Sequence, residues 1–233
     1  MIIDVHTHVG DKKYVSASLK SLEKEMEKSK VSYSVCFVLG DDVEKNSLVL
    51  AKECSEKIIP FFRFDPKKIS LSQLRQNLKL FKGIKLHPRL ENFDPLDSKY
   101  AEIFKIIEES KLPVLIHTRK ENNPYTDPDR LLELAKLYPY IVFIFGHFAN
   151  DLKSVIDVIK DLPNIYLETS IVSSPKIIEL AVRKCGSEKI LFGSDYPMSD
   201  QELEVQKVLR ADISDEDKEN ILYRNAMRLI GIK

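Results

Sequence analysis

Short apolar runs recur along the chain at similar intervals, and each is bounded by Pro, Gly, Asp or Asn. Eight of these runs are predicted to be strands, and most are continuously hydrophobic, as expected for parallel strands covered on both faces. The predicted strands are Ile2 to Val5, Tyr33 to Leu39, Ile58 to Phe64, Gly83 to Leu86, Pro113 to Ile116, Ile141 to Phe145, Ile165 to Leu167 and Ile190 to Phe192.

Segments with helical periodicity lie between the apolar runs. The clearest is Asp97 to Ser110, in which the apolar side chains form one stripe beside Glu and Lys. The other predicted helices are Ala17 to Ser29, Val43 to Glu56, Leu71 to Leu80, Pro128 to Tyr138, Leu152 to Lys160, Pro175 to Cys185, Glu202 to Leu209 and a closing helix from Asp215 to Ile230.

The alternation of strands and helices predicts an α/β protein with a single domain over residues 1–233. Helical crossovers between parallel strands are right-handed, and eight such units favour a closed (β/α)8 TIM barrel, here with an additional C-terminal helix. A doubly wound open sheet is the alternative, but the first strand is not followed by the Gly-rich fingerprint of that fold.

Charge and cysteine content narrow the class of partner. Lys plus Arg and Asp plus Glu each number 36, so the overall charge does not favour binding to nucleic acid or to an anionic membrane. The three cysteines are widely spaced and form no CxxC pair, which argues against a disulfide framework and against a cysteine zinc site. No apolar stretch approaches the roughly 18 residues that a membrane span needs. We therefore expect a cytoplasmic protein that acts on a small molecule.

Every histidine of the chain lies at the end of a predicted strand. His6 and His8 end the first, and His87, His117 and His147 follow the fourth, fifth and sixth. In a parallel barrel these are the carboxyl-terminal ends, where barrel enzymes carry their catalytic groups. The HxH spacing also turns both strand-one imidazoles to the same face. Packing alone gives no reason for this distribution.

Asp195 follows the eighth strand, next to strand one in a closed barrel. Imidazole nitrogens with one carboxylate suit Zn²⁺, and also Mn²⁺, Fe²⁺ or Ni²⁺. The sequence therefore predicts a divalent metal, with one Zn²⁺ as the leading expectation and a second ion as an alternative.

These motifs resemble the amidohydrolase superfamily: IDVHTH on strand one, LIHT on strand five, FGH on strand six and FGSDYP on strand eight. The segments GIKLHP, YLETS and NAMRLIG are most similar to the branch that includes aminocarboxymuconate-semialdehyde decarboxylase and related small amidohydrolases. After FGH the chain continues FAN instead of the glycine pair often found there, which leaves the shape of the pocket open.

The resemblance implies roles for five side chains. His6, His8 and His117 would bind the metal, and Asp195 would either ligate it or take a proton from bound water. His147 would orient or polarise the substrate and take part in proton transfer. A bound metal lowers the pKa of water from about 15.7 towards 7, so hydrolysis needs no nucleophilic side chain.

Several further side chains near strand ends are candidates for substrate binding. His87, Arg89 and Arg119 are predicted to contact substrate, since guanidinium groups bind carboxylate or phosphate through two parallel hydrogen bonds. The alternatives are a structural role for His87 and surface ion pairs for both arginines and for Arg63.

Three buried polar positions have open roles. Lys85 shares a strand face with His87 and is either a carboxylated bridge between two metals or, as we expect, an ion-paired interior residue. Asp4 is expected on the face of His6, where it would accept a ring N–H, and the alternative is a buried hydrogen-bonded carboxylate. Glu168 ends strand seven and either faces the pocket or anchors a loop, and we leave it outside the primary site.

The sequence favours hydrolysis of a small molecule's amide, lactone or other ester bond. Nonoxidative decarboxylation of an unsaturated or aromatic acid is the alternative, because the resembling branch contains such lyases. The segment IHTR at Ile116 to Arg119 is similar to the TatD-type metal-dependent nucleases. Nuclease activity is less favoured, because those enzymes typically have an acidic residue before the strand-eight aspartate, whereas Ser194 precedes Asp195 here. The short loops after the strands suggest that a homodimer completes the cavity.

Overall fold

The computed structural model describes residues 1–149 and 155–232, and strands alternate with helices along both ranges. The strands are β1 (Ile3–Lys12), β2 (Val15–Ala17), β3 (Tyr33–Val38), β4 (Ile58–Pro60), β5 (Phe62–Arg63), β6 (Ile84–Leu86), β7 (Val114–Ile116), β8 (Phe143–Phe145), β9 (Ile165–Glu168) and β10 (Ile190–Leu191). The helices are α1 (Leu19–Ser29), α2 (Val43–Glu53), α3 (Leu71–Asn77), α4 (Ala101–Ser110), α5 (Pro128–Leu137), α6 (Pro175–Cys185), α7 (Gln201–Leu209), α8 (Asp215–Glu219) and α9 (Asn225–Ile230).

Strand pairing closes the sheet into a barrel. β1, β3 and β4 pair in parallel, and β5 to β10 pair in parallel in chain order. β4 and β5 form one strand position, because the Phe61 N–H donates to Cys36 O and the next N–H donates to Gly83 O, both at 2.9 Å. The sheet edges join where the Val5 N–H donates to Phe192 O at 2.9 Å. The predicted barrel is confirmed, and the open sheet is wrong.

The first strand continues well beyond its predicted end at Val5. β1 runs to Lys12 and turns back into β2, with which it forms an antiparallel hairpin. Ala17 therefore belongs to β2 and not to the first helix. α1 begins after Ser18, whose side chain accepts a hydrogen bond from a backbone N–H of the first turn.

The other helices differ from prediction mainly at their ends. α2 ends at Glu53 and not at Glu56. The predicted helix from Leu152 to Lys160 begins outside the described residues, and its described end is a 3-10 turn at Ile159–Asp161. The closing helix follows its prediction, with a π-helical turn at Asn220–Arg224 joining α8 to α9.

Apolar side chains fill the lower interior of the barrel. This inner cluster contains Ile3, Val5, Val35, Phe37, Ile59, Phe61, Leu115, Ile144 and Leu191. Ala226 and Ile230 of α9 belong to the same cluster, so the additional C-terminal helix closes the amino-terminal end of the barrel. A larger cluster fills the layer between the sheet and the surrounding helices. Each large side chain buried in this way stabilises the fold by roughly 1.5–3 kcal/mol.

A β-bulge in β1 decides which of its side chains face the cavity. The pairing register shifts between Asp4, opposite Ser34, and Thr7, opposite Cys36. Asp4 therefore points outward, where its Oδ2 accepts a hydrogen bond from Gln201 at 2.7 Å. The expectation that Asp4 shares the face of the strand-one histidines is wrong, because the extra residue of the bulge reverses the alternation.

Candidate active site

A cavity of about 470 Å³ opens at the carboxyl-terminal ends of the barrel strands. Small-molecule sites have volumes of roughly 300–1,000 Å³. The cavity is lined by His6, His8, Lys12, Lys13, Tyr14, Val15, Leu39, Arg63, Lys85, His87, Arg89, Leu90, His117, Arg119, His147, Ile171, Asp195 and Met198. Every predicted site residue thus lines one cavity.

Two imidazoles and one carboxylate converge beside the bulge of β1. His6 Nε2 lies 3.1 Å and His8 Nε2 3.0 Å from Asp195 Oδ1. Asp195 reaches this position because its backbone N–H donates to His6 O at 2.8 Å, next to the bulge. Two imidazole nitrogens and an anionic oxygen facing one point fit a divalent transition metal.

Glu168 is the central carboxylate that sequence reasoning left outside the site. Its Oε1 lies 2.9 Å from His6 Nδ1 and accepts the His147 N–H at 2.6 Å. Burial alone would raise the pKa of Glu168, but His6 and the His147 N–H lower it to about 2. Its position at a strand end, like that of every histidine, was the signal for including it. Glu168 holds the His6 ring so that Nε2 faces Asp195.

A hydrogen-bond chain orients His117 through His147. Ser170 Oγ donates to Glu168 Oε1 at 2.8 Å and therefore accepts from His147 Nδ1, also at 2.8 Å. His147 Nε2 is then left to accept from His117 Nδ1 at 3.1 Å. Consequently His117 Nε2 carries a lone pair, and this buried atom has no hydrogen-bond partner among the residues that the structure describes.

The predicted ligands do not all lie equally close together. Within residues 1–149 and 155–232, two groups of three possible ligand atoms lie within 4.8 Å of one another: His6 with His8 and Asp195, and His6 with His147 and Glu168. His117 is in neither group. The structure therefore brings three predicted ligands into one group and places the fourth elsewhere on the cavity wall.

Most imidazoles of the cavity are neutral. Burial lowers the pKa of His8 to about 3 and that of His147 to about 4. Burial likewise holds the pKa values of His87 and His117, whose rings stack at 3.9 Å, well below the usual range. A neutral imidazole has the free lone pair that metal ligation requires.

His6 and Asp195 differ from the other groups. Burial and Lys85 oppose protonation of His6, but Glu168 and Asp195 outweigh them and raise its pKa. Burial would raise the pKa of Asp195, yet His6 and His8 hold it well below its usual range. Asp195 is therefore an anion beside two imidazole nitrogens.

Lys85 lies where the polar cavity meets the inner cluster. Its Cα pairs in register with Leu115, its Nζ lies 3.2 Å from His6 Nε2, and the same Nζ lies 4.4 Å from the Phe37 ring centroid. Burial lowers the pKa of Lys85 to about 7 in spite of Asp195 and Glu168. Its contacts are thus an imidazole and an aromatic ring.

Two predicted catalytic residues have left-handed backbones. φ is 56° at His147 and 64° at Asp195, and the strained run continues through Phe148 and Ala149. Such conformations cost about 1–3 kcal/mol each and persist only where surrounding contacts impose them. The chain holds these two side chains in place at a cost in stability.

Basic side chains outnumber acidic ones on the cavity wall. Six lining side chains are basic and one is acidic, Asp195; the basic ones are Lys12, Lys13, Arg63, Lys85, Arg89 and Arg119. Arg63 is paired with buried Glu91 at 2.6 Å and also donates to Val38 O, so its ion pair is a buried structural one and not the surface pair considered above. Lys12, Lys13 and Tyr14 belong to the β1–β2 hairpin, which the sequence did not predict.

Comparison with known proteins defines the class. The amidohydrolase family model matches residues 3–232, so the chain belongs to that family. It is accordingly an enzyme of the metal-dependent amidohydrolase superfamily, and the donor set above has the chemistry of a divalent metal site. In the described part of the chain, no helix combines the length and apolar character needed to cross a membrane.

Among curated relatives, the chain is similar to 2-amino-3-carboxymuconate-6-semialdehyde decarboxylase of Caenorhabditis elegans, with 38% identity over 65 residues. That match covers 27% of this chain and only 16% of the relative.

Two solved structures illustrate the fold. The 2,6-dihydroxybenzoate decarboxylase from Rhizobium has a TM-score of 0.82 at 15% identity and covers 99% of this chain and 98% of its own. A second similar structure is a dihydroxybenzoic acid decarboxylase from Polaromonas with bound manganese and the inhibitor 2-nitroresorcinol. Its TM-score is 0.81 at 15% identity, and the match covers 99% of this chain and 96% of the other. These similarities support the (β/α)8 barrel.

Proposed function

We propose that this enzyme removes carbon dioxide, without oxidation, from a small unsaturated or aromatic carboxylic acid at one divalent metal ion. The observation that carries the proposal is the cavity wall, in which six basic side chains surround a metal-type donor set. Such a wall favours anionic substrates. The similarity to decarboxylases supports this reaction over hydrolysis, which the sequence alone had favoured.

His6, His8 and Asp195 would hold the metal, with His117 Nε2 as a further ligand. Zn²⁺ is our expected ion, and the manganese of the Polaromonas relative makes Mn²⁺ the alternative. The bound ion would supply a Lewis acid for substrate oxygens. A cytoplasmic location and a homodimer stay predictions from the sequence.

Decarboxylation breaks one carbon–carbon bond, leaves its electron pair on the substrate and requires one proton at that carbon. We assign this proton to Lys85 Nζ, which presents N–H groups 3.2 Å from His6 Nε2. His147 has both ring nitrogens engaged, with Ser170 and His117. Its role in this proposal is to position His117.

Hydrolysis is the second candidate, and one observation favours it. Asp195 Oδ1 lies between His6 Nε2 and His8 Nε2, where it could accept a proton from water as well as bind a metal. An acceptor with a strongly depressed pKa is a weak general base, so we rank this reaction second.

The test is product analysis with metal-loaded protein in ¹⁸O-water and in D₂O, with a panel of aromatic and unsaturated acids that includes members carrying an amide, lactone or ester bond. We expect carbon dioxide release, one deuterium on the organic product and no ¹⁸O in it. Product that carries ¹⁸O, formed without carbon dioxide, would establish hydrolysis and reject the lyase. Lys85→Met should lose turnover while keeping its metal, and the remote exposed variant Glu102→Gln should match wild type.

A further inference from the structure

Two arginines at the cavity rim share one internal carboxylate. Arg89 Nη1 lies 2.6 Å from Glu121 Oε2, and Arg119 Nε lies 3.6 Å from Glu121 Oε1. Both arginines line the cavity, whereas Glu121 is reached from the neighbouring surface groove. The two guanidinium groups thus converge on a single anionic group at the edge of the site.

The contact with Glu121 is close but badly aligned. Its Oε2 is buried and accepts no hydrogen bond from the part of the chain that the structure describes, so the 2.6 Å approach is an ion pair without hydrogen-bond geometry. A guanidinium binds a free carboxylate best through two parallel N–H···O bonds. A ligand carboxylate can therefore make better bonds here than Glu121 makes.

We propose that Arg89 and Arg119 form a carboxylate subsite that Glu121 occupies in the resting enzyme, and that the second carboxylate of a dicarboxylic acid displaces Glu121. This inference rests on the proposed function for the first carboxylate, which lies at the metal centre. Glu121 then selects against monocarboxylic acids, since only a dianion gains from taking its place.

The position of the subsite fits this substrate class. Arg89 and Arg119 each follow a cavity histidine by two residues, at His87 and His117. Both arginines line the same cavity as His6, His8 and Asp195, so a ligand held at the rim lies in the cavity that contains the metal-type donor set. Lys12 stands near the same rim, and its pKa is lowered by burial and by Arg63 and Arg89.

The test is calorimetric binding of two matched acids to metal-loaded protein, isophthalate and benzoate, which differ by one carboxylate. Glu121→Gln should lower the dissociation constant of isophthalate about tenfold and change that of benzoate by no more than about twofold. Arg119→Gln and Arg89→Gln should weaken isophthalate about tenfold with little effect on benzoate. Glu102→Gln, which removes a remote exposed carboxylate paired with Lys105, is the control for net charge.

Equal tightening of both acids by Glu121→Gln, or no change with either, would overturn the proposal. Thermal unfolding of each variant shows that it is folded, and isophthalate binding that is unchanged in both folded arginine variants would also overturn it. All binding is measured in the Lys85→Met background, which is expected to lose turnover, so a failed decarboxylation assay leaves this result readable. Tight isophthalate binding, together with no carbon dioxide release by the parent enzyme, would reject the reaction but keep the subsite.

Discussion

The two ends of the barrel interior are built by the same strands and carry opposite kinds of side chain. The lower end holds the inner cluster of aliphatic and aromatic residues, closed by α9. The upper end holds imidazoles, carboxylates and Lys85, all buried, with unpartnered nitrogens at His8 Nδ1 and His117 Nε2 among the described residues. The lower end therefore stabilises the fold, whereas the buried polar groups of the upper end lower its stability and provide the chemical groups of the site.

The bulge in β1 lies at the boundary between these ends. Below it Ile3 and Val5 face the inner cluster, and above it His6 and His8 face the cavity. Outward-facing Asp4 stabilises the bulge by accepting the His6 and Ser194 N–H groups, each at 3.0 Å. Changes on either side of this boundary should thus affect different measured quantities.

The largest expected effect is at the upper end. Asp195→Asn removes the anionic donor shared by His6 and His8, and we expect turnover and metal affinity to fall at least about 1,000-fold. The folded state should remain, because no apolar contact is lost. Metal content after dialysis, together with turnover, checks this. An Asn variant that keeps full metal content and activity would remove Asp195 from the site.

Phe61→Ala tests the lower end. It deletes a fully buried ring of the inner cluster and should reduce the free energy of unfolding by about 3–5 kcal/mol. Metal affinity of the folded variant should be unchanged, because Phe61 does not line the cavity. Denaturant unfolding and metal titration measure the two quantities. A large loss of metal affinity would show that the two ends are not independent.

The pH dependence of the free energy of unfolding should also differ between variants at the two ends of the barrel. Burial lowers the pKa of His147 from 6.5 to about 4, so the unfolded chain binds a proton at higher pH than the folded chain. The free energy of unfolding of metal-free protein should therefore fall from pH 7 to pH 4, by up to about 1.4 kcal/mol per pH unit from this residue. Denaturant curves should show a shallower slope for His147→Gln and an unchanged slope for Phe61→Ala. Equal slopes in all three proteins would contradict the assignment.

Among these four changes, Ser170→Ala should have the smallest effect, and that effect should be on metal affinity. It breaks the chain from Glu168 to His147, so the tautomer of His117 is no longer imposed, and metal affinity should fall about tenfold. The exposed Ser55→Ala is the matched control. Histidine nitrogen NMR of the metal-free protein should show His117 with its proton on Nδ1 in wild type and a mixture in the variant. Identical spectra would rule out this chain.

Part of the site was predictable because it depends on strand ends. The apolar runs located the barrel strands, and each histidine fell at the end of one, so the shared cavity followed from the fold. Glu168 also lies at the end of a predicted strand, but a single carboxylate at that position is equally consistent with a residue that anchors a loop. The sequence therefore did not place Glu168 in the site. The pairing of Arg63 with Glu91 is 28 residues apart in sequence and could not be read from either residue alone.

The sequence by itself determined the closed barrel and the set of side chains that could carry the chemistry, because hydrophobic periodicity and residue type are local properties. Only the tertiary structure decided which side chain faces which. The bulge turned Asp4 away, the β1–β2 hairpin brought Lys12 to the cavity, and Glu168 became the shared partner of His6 and His147. Such outcomes depend on contacts between distant strands, and a one-residue change in register is enough to reverse them.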